Sequence, residues 1–229
     1  MSPFAFPHAI PASVAIANSD ARFPVHRIYC VGRNYEDHVR EMGGTEVNKG
    51  TPIFFSKPAD AVVESGATLA YPLATSNLHH EIELVIALKS GGSQIALKDA
   101  AAHIFGYAVG CDLTRRDLQA LAKSAGAPWD LAKGFDQSAP ISAIFESAHV
   151  PQQGRIWLSV NQALKQDANL SQMIWSISEI ISALSDFFEL KAGDLIFTGT
   201  PAGVGPLQRA DQVSAGIEGI GELHFSIAN

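Results

Sequence analysis

Apolar positions along this chain fall mostly in short β-branched or aromatic runs, and a helical period of 3.6 sustains itself in few places. Arg27-Ile28-Tyr29-Cys30-Val31, Ile53-Phe54-Phe55, Leu84-Val85-Ile86-Ala87-Leu88, Phe105 to Cys111, Ile156 to Val160 and Leu195-Ile196-Phe197 all read as strands, most bounded by Gly, Pro or Asx turns. Ile156 to Val160 and Ala163 to Lys165 flank Asn161-Gln162, a two-residue hairpin turn. A last hairpin turns within Gly216 to Gly221. Helical spacing is strongest at Ile177, Ile180, Ile181, Leu184 and Phe188, preceded by the capping box Ser176 to Glu179. A second helix starts on Thr114-Arg115-Arg116-Asp117, also read as a capping box, and stops at Gly126 and Pro128. Asn34 is expected to cap a short third one. Two strong helices among many strands, without long βαβ alternation, predict a strand-dominated α+β fold. Residues 1–24, rich in Pro and Ala with a short strand at Ser13 to Ile16, read as an arm packed on a single domain over 25–229.

One stretch breaks the apolar pattern. In His79-His80-Glu81-Ile82-Glu83, strand periodicity puts Glu81 and Glu83 on one face just before the buried run from Leu84 to Leu88. Carboxylates entering such a strand are costly unless a cation meets them. Asp112 ends another apolar run, and three carboxylates without Cys or paired-His spacing suit Mg2+ or Mn2+, with Ca2+ accommodated by the same donors. The other reading puts Glu81 and Glu83 on the solvated face of an edge strand and makes Asp112 the start of a turn.

Further candidates lie around this trio. His38 and Glu41 are i and i+3 on one helical face, an arrangement that orients a general base or makes a plain surface pair. The polar segment Gly43 to Pro52 is either a lid or a plain loop. Lys57 is an anion-binding group or a solvated strand end. Arg115 and Arg116 reach toward an anionic substrate, or Arg116 pairs locally with Asp117. Lys133, between an apolar segment and Gly134, is held near a developing oxyanion or snorkels to solvent. The Gly-rich loop Thr198 to Pro206 lacks the Lys-Ser/Thr ending of a P-loop, and its amides with the Thr200 hydroxyl suit a small carboxylate.

The 229 residues are 47% hydrophobic and only 17% charged, which suits a packed core. A net charge of −7 without a Lys/Arg cluster argues against a nucleic-acid partner. Cys30 and Cys111, each inside an apolar run, read as reduced core residues. No apolar stretch approaches the roughly 18 to 20 residues of a membrane span, and the N-terminus has no basic region before an apolar one. A cytoplasmic protein is the expectation.

Taken in order, these segments resemble the fumarylacetoacetate hydrolase family, in its compact acylpyruvate and fumarylpyruvate hydrolase branch. The resemblance runs from about Arg27 to Phe225. Its carriers are Tyr29 to Tyr35 with His38 and Glu41, Phe55 to Pro58, Leu78 to Leu84, and Gly110 to Thr114 with Arg116 to Gln119. Lys133 to Asp136, Thr198 to Pro201 and Gly203 to Gly205 complete the set. The resemblance implies a mixed β-sandwich roll, a homodimer, and Mg2+ or Mn2+ on Glu81, Glu83 and Asp112. It further implies a water-activating dyad of His38 and Glu41, Lys133 near the reacting carbonyl, and a pocket lined by Gln119 and Thr200, with Arg33 assigned to substrate. The implied reaction is hydrolysis of a carbon–carbon bond in a 2,4-dioxo acid, giving pyruvate and a carboxylic acid, within aromatic catabolism. Oxaloacetate decarboxylation, dioxo-acid isomerisation and metal binding without turnover are the alternatives. Arg115, where relatives often have a small residue, and the length-variable 43–51 segment depart from the pattern.

Overall fold

The computed structural model describes residues 10–41, 43 and 49–229. Part of the 43–52 segment, and with it the lid expectation, lies outside the described residues, as do the first nine residues of the arm.

A curled sheet runs, in spatial order, through Ile53–Lys57, Arg27–Gly32, Asp194–Phe197, Ile82–Leu88, Ile104–Cys111, Ala139–Ile141 and Val62–Glu64, with Phe145–Glu146 also paired to Ile104–Cys111. Parallel and antiparallel pairs are mixed: Arg27–Gly32 lies parallel to Asp194–Phe197, whereas Ile82–Leu88 is antiparallel to both of its neighbours. A second sheet, Ala163–Asn169, Arg155–Val160, Gln212–Ile217, Gly221–Ile227 and Thr68–Leu69, packs against one face of the first.

Both faces of the central strand are therefore covered, which is why Leu84 to Leu88 is continuously apolar. Leu84, Ile86 and Leu88 enter the larger core with Leu158, Val213, Leu223 and the Ile180, Ile181 and Leu184 face of helix α4, Ile177–Ser185. Val85 and Ala87 point the other way, into a smaller core closed by Val14 and Phe23 of the arm. The capping box of α4 forms as expected, with Ser176 and Glu179 satisfying each other's backbone amides.

Ile82–Leu88 is an interior strand, so the edge-strand alternative for Glu81 and Glu83 does not hold. Helix α2, Arg116–Ala125, ends at Gly126 in the left-handed conformation as anticipated, but it has no capping box. Thr114 and Arg115 pair instead with the Leu78–His80 strand, and Asp117 accepts from the Thr75 hydroxyl and the Ser76 amide. Nor is Asn34 a cap for α1, Glu36–Glu41: its fully buried amide accepts from the Trp175 amide and donates to the Trp175 and Thr198 carbonyls. Among the described residues, no helix is long and apolar enough to cross a membrane.

Candidate active site

Glu81 stands at the break between Leu78–His80 and Ile82–Leu88, Glu83 two residues on, and Asp112 at the end of the adjacent strand, where its amide bonds to the Glu81 carbonyl at 2.8 Å. Each offers one carboxylate oxygen, and those oxygens lie within 4.8 Å of one another, all buried. Like charges this close are unfavourable unless cations neutralise them.

Three side-chain cations do so in part. Lys133, at the end of the short helix α3, Asp130–Lys133, donates to Glu81 Oε2 at 2.8 Å, Asp112 Oδ2 at 2.6 Å and Thr114 Oγ1 at 2.6 Å. Those are all three of its donors, and its ammonium is buried, so it does not snorkel. Lys57 is equally buried, not a solvated strand end; its Nζ sits 2.8 Å from Asp112 Oδ1 and also donates to backbone carbonyls. The Lys57 contact lacks hydrogen-bond geometry, leaving Asp112 Oδ1 buried with an unfilled acceptor site. Arg116 ion-pairs with the other Glu81 oxygen, donates to Gln119, and offers Nε to His79. Arg115 turns away, stacking over the Phe135 ring and donating to the Leu131 carbonyl.

The carboxyls respond differently. Burial pushes Glu81 up, but Lys133 and Arg116 outweigh it and hold its pKa well below the usual carboxylate range. Among the described residues, no cation contacts Glu83: burial first, then Asp112 and Glu81, raise its pKa well above the ordinary value, relieved by one hydrogen bond from the Gly199 amide at 2.7 Å. A carboxyl made uncomfortable by two others, beside an acceptor oxygen with nothing to accept, suits a hard divalent cation with oxygen ligands. Glu81, Glu83 and Asp112 could hold Mg2+ or Mn2+.

The Gly-rich loop does grip carboxylates, but they are the protein's own. Gly199 binds Glu83, and the Gly203 amide donates to Glu41 Oε1 at 3.1 Å. Gly199 has φ +96°, and a Cβ there would lie 2.6 Å from Asn34 Cβ. Glu41 Oε2 in turn meets His38 Nδ1 at 3.1 Å, which leaves Nε2 as the acceptor of the neutral ring. His38 is buried, and burial lowers its pKa despite the opposing pull of Glu81 and Glu41.

His38, Gln119, Thr200, Arg33 and Lys133 all line the same pocket as the three carboxylates, joined by Arg116 and Lys123. Two residues escaped the sequence reading. Lys123 looks like an ordinary solvated helix position, although it follows Arg116 by seven. Gln166 is fully buried and joins the halves of the site: its Oε1 accepts from His80 Nδ1 and the Ile82 amide, and its Nε2 donates to Thr200 Oγ1 and the Pro201 carbonyl. The only local hint is a run of polar residues in the second hairpin strand.

Known proteins resemble this chain over most of its length. Residues 27–228 match the family model described as fumarylacetoacetate (FAA) hydrolase C-terminal. A mouse protein, oxaloacetate tautomerase FAHD1, mitochondrial, is 43% identical over 87% of this chain and 90% of its own length. Fumarylpyruvate hydrolase from a Ralstonia species is 43% identical over 76% of this chain and 91% of its own. The crystal structure of fumarylpyruvate hydrolase from Pseudomonas aeruginosa, in complex with Mn2+ and pyruvate, superposes with a TM-score of 0.94 at 46% identity, covering 98% of this chain and 99% of that one. With its mixed curled sheet and a match over nearly all its length, the chain belongs to the fumarylacetoacetate hydrolase family.

Proposed function

We propose that this protein is a metal-dependent hydrolase that cleaves the carbon–carbon bond of a 2,4-dioxo acid such as fumarylpyruvate, giving pyruvate and a carboxylic acid. The observation that carries it is the opening of an oriented imidazole and a three-carboxylate cation site into one pocket. The Ralstonia and Pseudomonas hydrolases support the substrate class.

Mg2+ or Mn2+ on Glu81, Glu83 and Asp112 would supply Lewis-acid polarisation of the 2-oxo group and its neighbouring carboxylate. His38 Nε2 takes a proton from water as the water oxygen bonds to C4, while Glu41 fixes the tautomer and stabilises the imidazolium. Thr200, whose oxygen already accepts from Gln166, keeps its own proton to donate. Lys133 brings positive charge to the same pocket beside the developing oxyanion. The C3–C4 bond then breaks, its electron pair passing to C3 as the enolate of pyruvate. His38 returns its proton to C3, so a carboxylic acid and pyruvate leave with the dyad restored. Gln119 and Arg33 position the substrate.

Loss of the enol absorbance of fumarylpyruvate and acetylpyruvate, followed with Mn2+ and with EDTA and with oxaloacetate in parallel, tests this reading. Metal-dependent loss that yields pyruvate is expected. Interconversion of the keto and enol forms of oxaloacetate, with both dioxo acids left intact, would overturn it in favour of the second reading. That reading rests on the mammalian relatives and needs a proton shuttle without attack by water.

His38→Ala is expected to lower kcat by about 10²- to 10³-fold, the range for a lost general base, while Mn2+ still raises the Tm. Because burial depresses the imidazole pKa, the base is already neutral at pH 7. The acid limb of kcat/KM at saturating Mn2+ should therefore fall below pH 6.5, the ordinary imidazole value, with a plateau above it. A limb centred above that value would remove His38 as the base.

A further inference from the structure

Lys123 is the third member of a helical stripe. Arg116, Gln119 and Lys123 are spaced i, i+3 and i+7 on α2, and all three line the pocket. Seven residues carry the stripe about 10 Å along the axis, from the Arg116 that holds Glu81 to a lysine with no such task. Lys123 makes no hydrogen bond or ion pair with a described residue. Its Nζ rests 5.3 Å from the centre of the Trp129 ring, a contact that leaves its ammonium protons free to donate.

Arg33 is in the same position. It too lines the pocket without a hydrogen bond or ion pair to a described residue. Its backbone has φ +60°, a conformation that disfavours a side chain with a Cβ, and the bonds of the adjacent Asn34 amide hold it there. Arg33 and Lys123 also repel each other. Burial, then Arg116 and Arg33, lower the Lys123 pKa, and the opposite charge of Glu81 is already committed to Lys133 and Arg116. Such crowding of cations in a pocket is relieved by an anion.

We propose that Arg33 and Lys123 form a subsite for a second carboxylate of the substrate, so that the pocket selects dicarboxylic over monocarboxylic 2-oxo acids. The inference deepens the proposed function and rests on it for the reaction, not for binding. The cation site takes the 2-oxo acid end, and the stripe on α2 spaces Lys123 for the far end of an extended diacid.

Kinetics and calorimetry test it together. The ratio of kcat/KM for fumarylpyruvate to that for acetylpyruvate is expected to fall about 10- to 100-fold in Lys123→Met and in Arg33→Gln, the worth of one charged hydrogen bond, and to recover in Lys123→Arg. In the calorimetric arm, Mn2+-loaded protein is titrated with 2-oxopimelate and with 2-oxoheptanoate, matched in length and differing in the second carboxylate. The diacid should bind at least about tenfold more tightly, a preference that Lys123→Met erases. If the wild type turns over neither dioxo acid yet prefers the diacid, the hydrolase reading fails and the subsite stands. Equal affinities in the wild type, or variants that weaken both ligands alike, would overturn the subsite.

Discussion

Glu83→Gln should make the metal-free protein more stable and at the same time leave it unable to bind Mn2+ or turn over substrate. In the folded chain this carboxyl is buried against Asp112 and Glu81, and its pKa lies well above the ordinary value. A group whose pKa is raised by folding contributes stability below its unfolded pKa, near 4.3, and loses it as pH climbs toward the folded one. At pH 8 the fold therefore opposes an ionisation that the unfolded chain completes freely, and glutamine removes that cost. Glutamine's own oxygen can still accept from the Gly199 amide. The expected result is a Tm a few degrees higher at pH 8, little changed at pH 4, and indifferent to added Mn2+. Turnover should drop by about 10⁴-fold, the several kcal/mol that a Lewis acid supplies.

Asp112→Asn should do the reverse to stability. It strips Lys57 and Lys133 of the carboxylate they share, and breaking a buried ion pair costs about 3–5 kcal/mol. Two carboxylates of one candidate cation site would then differ in the sign of their effect on the fold. Thermal melts of both variants, with and without Mn2+ at pH 4 and pH 8, decide the matter. A Glu83→Gln protein that still gains stability from Mn2+ would remove Glu83 from the ligand set.

Where the sequence could be read, the signal was local. The two glutamates share a face because side chains alternate along an extended backbone. His38 meets Glu41 because residues three apart meet on a helix, and the Ser176–Glu179 box declares itself within four residues. What stayed hidden depended on contacts between distant segments. Lys57 has the local setting of a solvated strand end, and only the packing of Asp112 across the sheet explains its burial. Thr114-Arg115-Arg116-Asp117 carries the letters of a capping box, yet pairing with Leu78–His80 extends Thr114 and Arg115 and sends Asp117 to Thr75. Tertiary pairing outweighed a cap worth roughly 1 kcal/mol. Asn34 was diverted likewise, its amide drawn to Trp175 and Thr198 at the crossing of three loops.

Gln166 was hidden by a register shift, and its replacement should be among the most damaging changes outside the three clustered carboxylates. In the hairpin, Ser159 pairs with Leu164 while Leu158 pairs with Gln166, so Lys165 is an extra residue. A bulge of this kind re-aims the side chains on either side of it. Strict alternation would put residues 164 and 166 on one face, yet Leu164 is 52% exposed and Gln166 is fully buried. Gly203, with φ +95°, packs directly on the bulged Lys165 carbonyl, which brings the Thr200 loop within reach of the amide. Gln166→Leu keeps much of the volume and strands four polar groups, those of His80, Ile82, Thr200 and Pro201. At about 1 kcal/mol or more for each buried unpaired group, unfolding in urea should show a loss of roughly 4 kcal/mol. The effect should reach catalysis as well, because the amide ties Thr200 to the strand that bears Glu83 and follows Glu81. With the tie cut, kcat/KM should fall further than Mn2+ affinity, and the Gly199 amide should exchange hydrogen faster. Lost stability with kcat/KM unchanged would show that Gln166 only fills the core, whereas a matched fall in Mn2+ affinity would place its effect on Glu81 and Glu83 instead of Thr200.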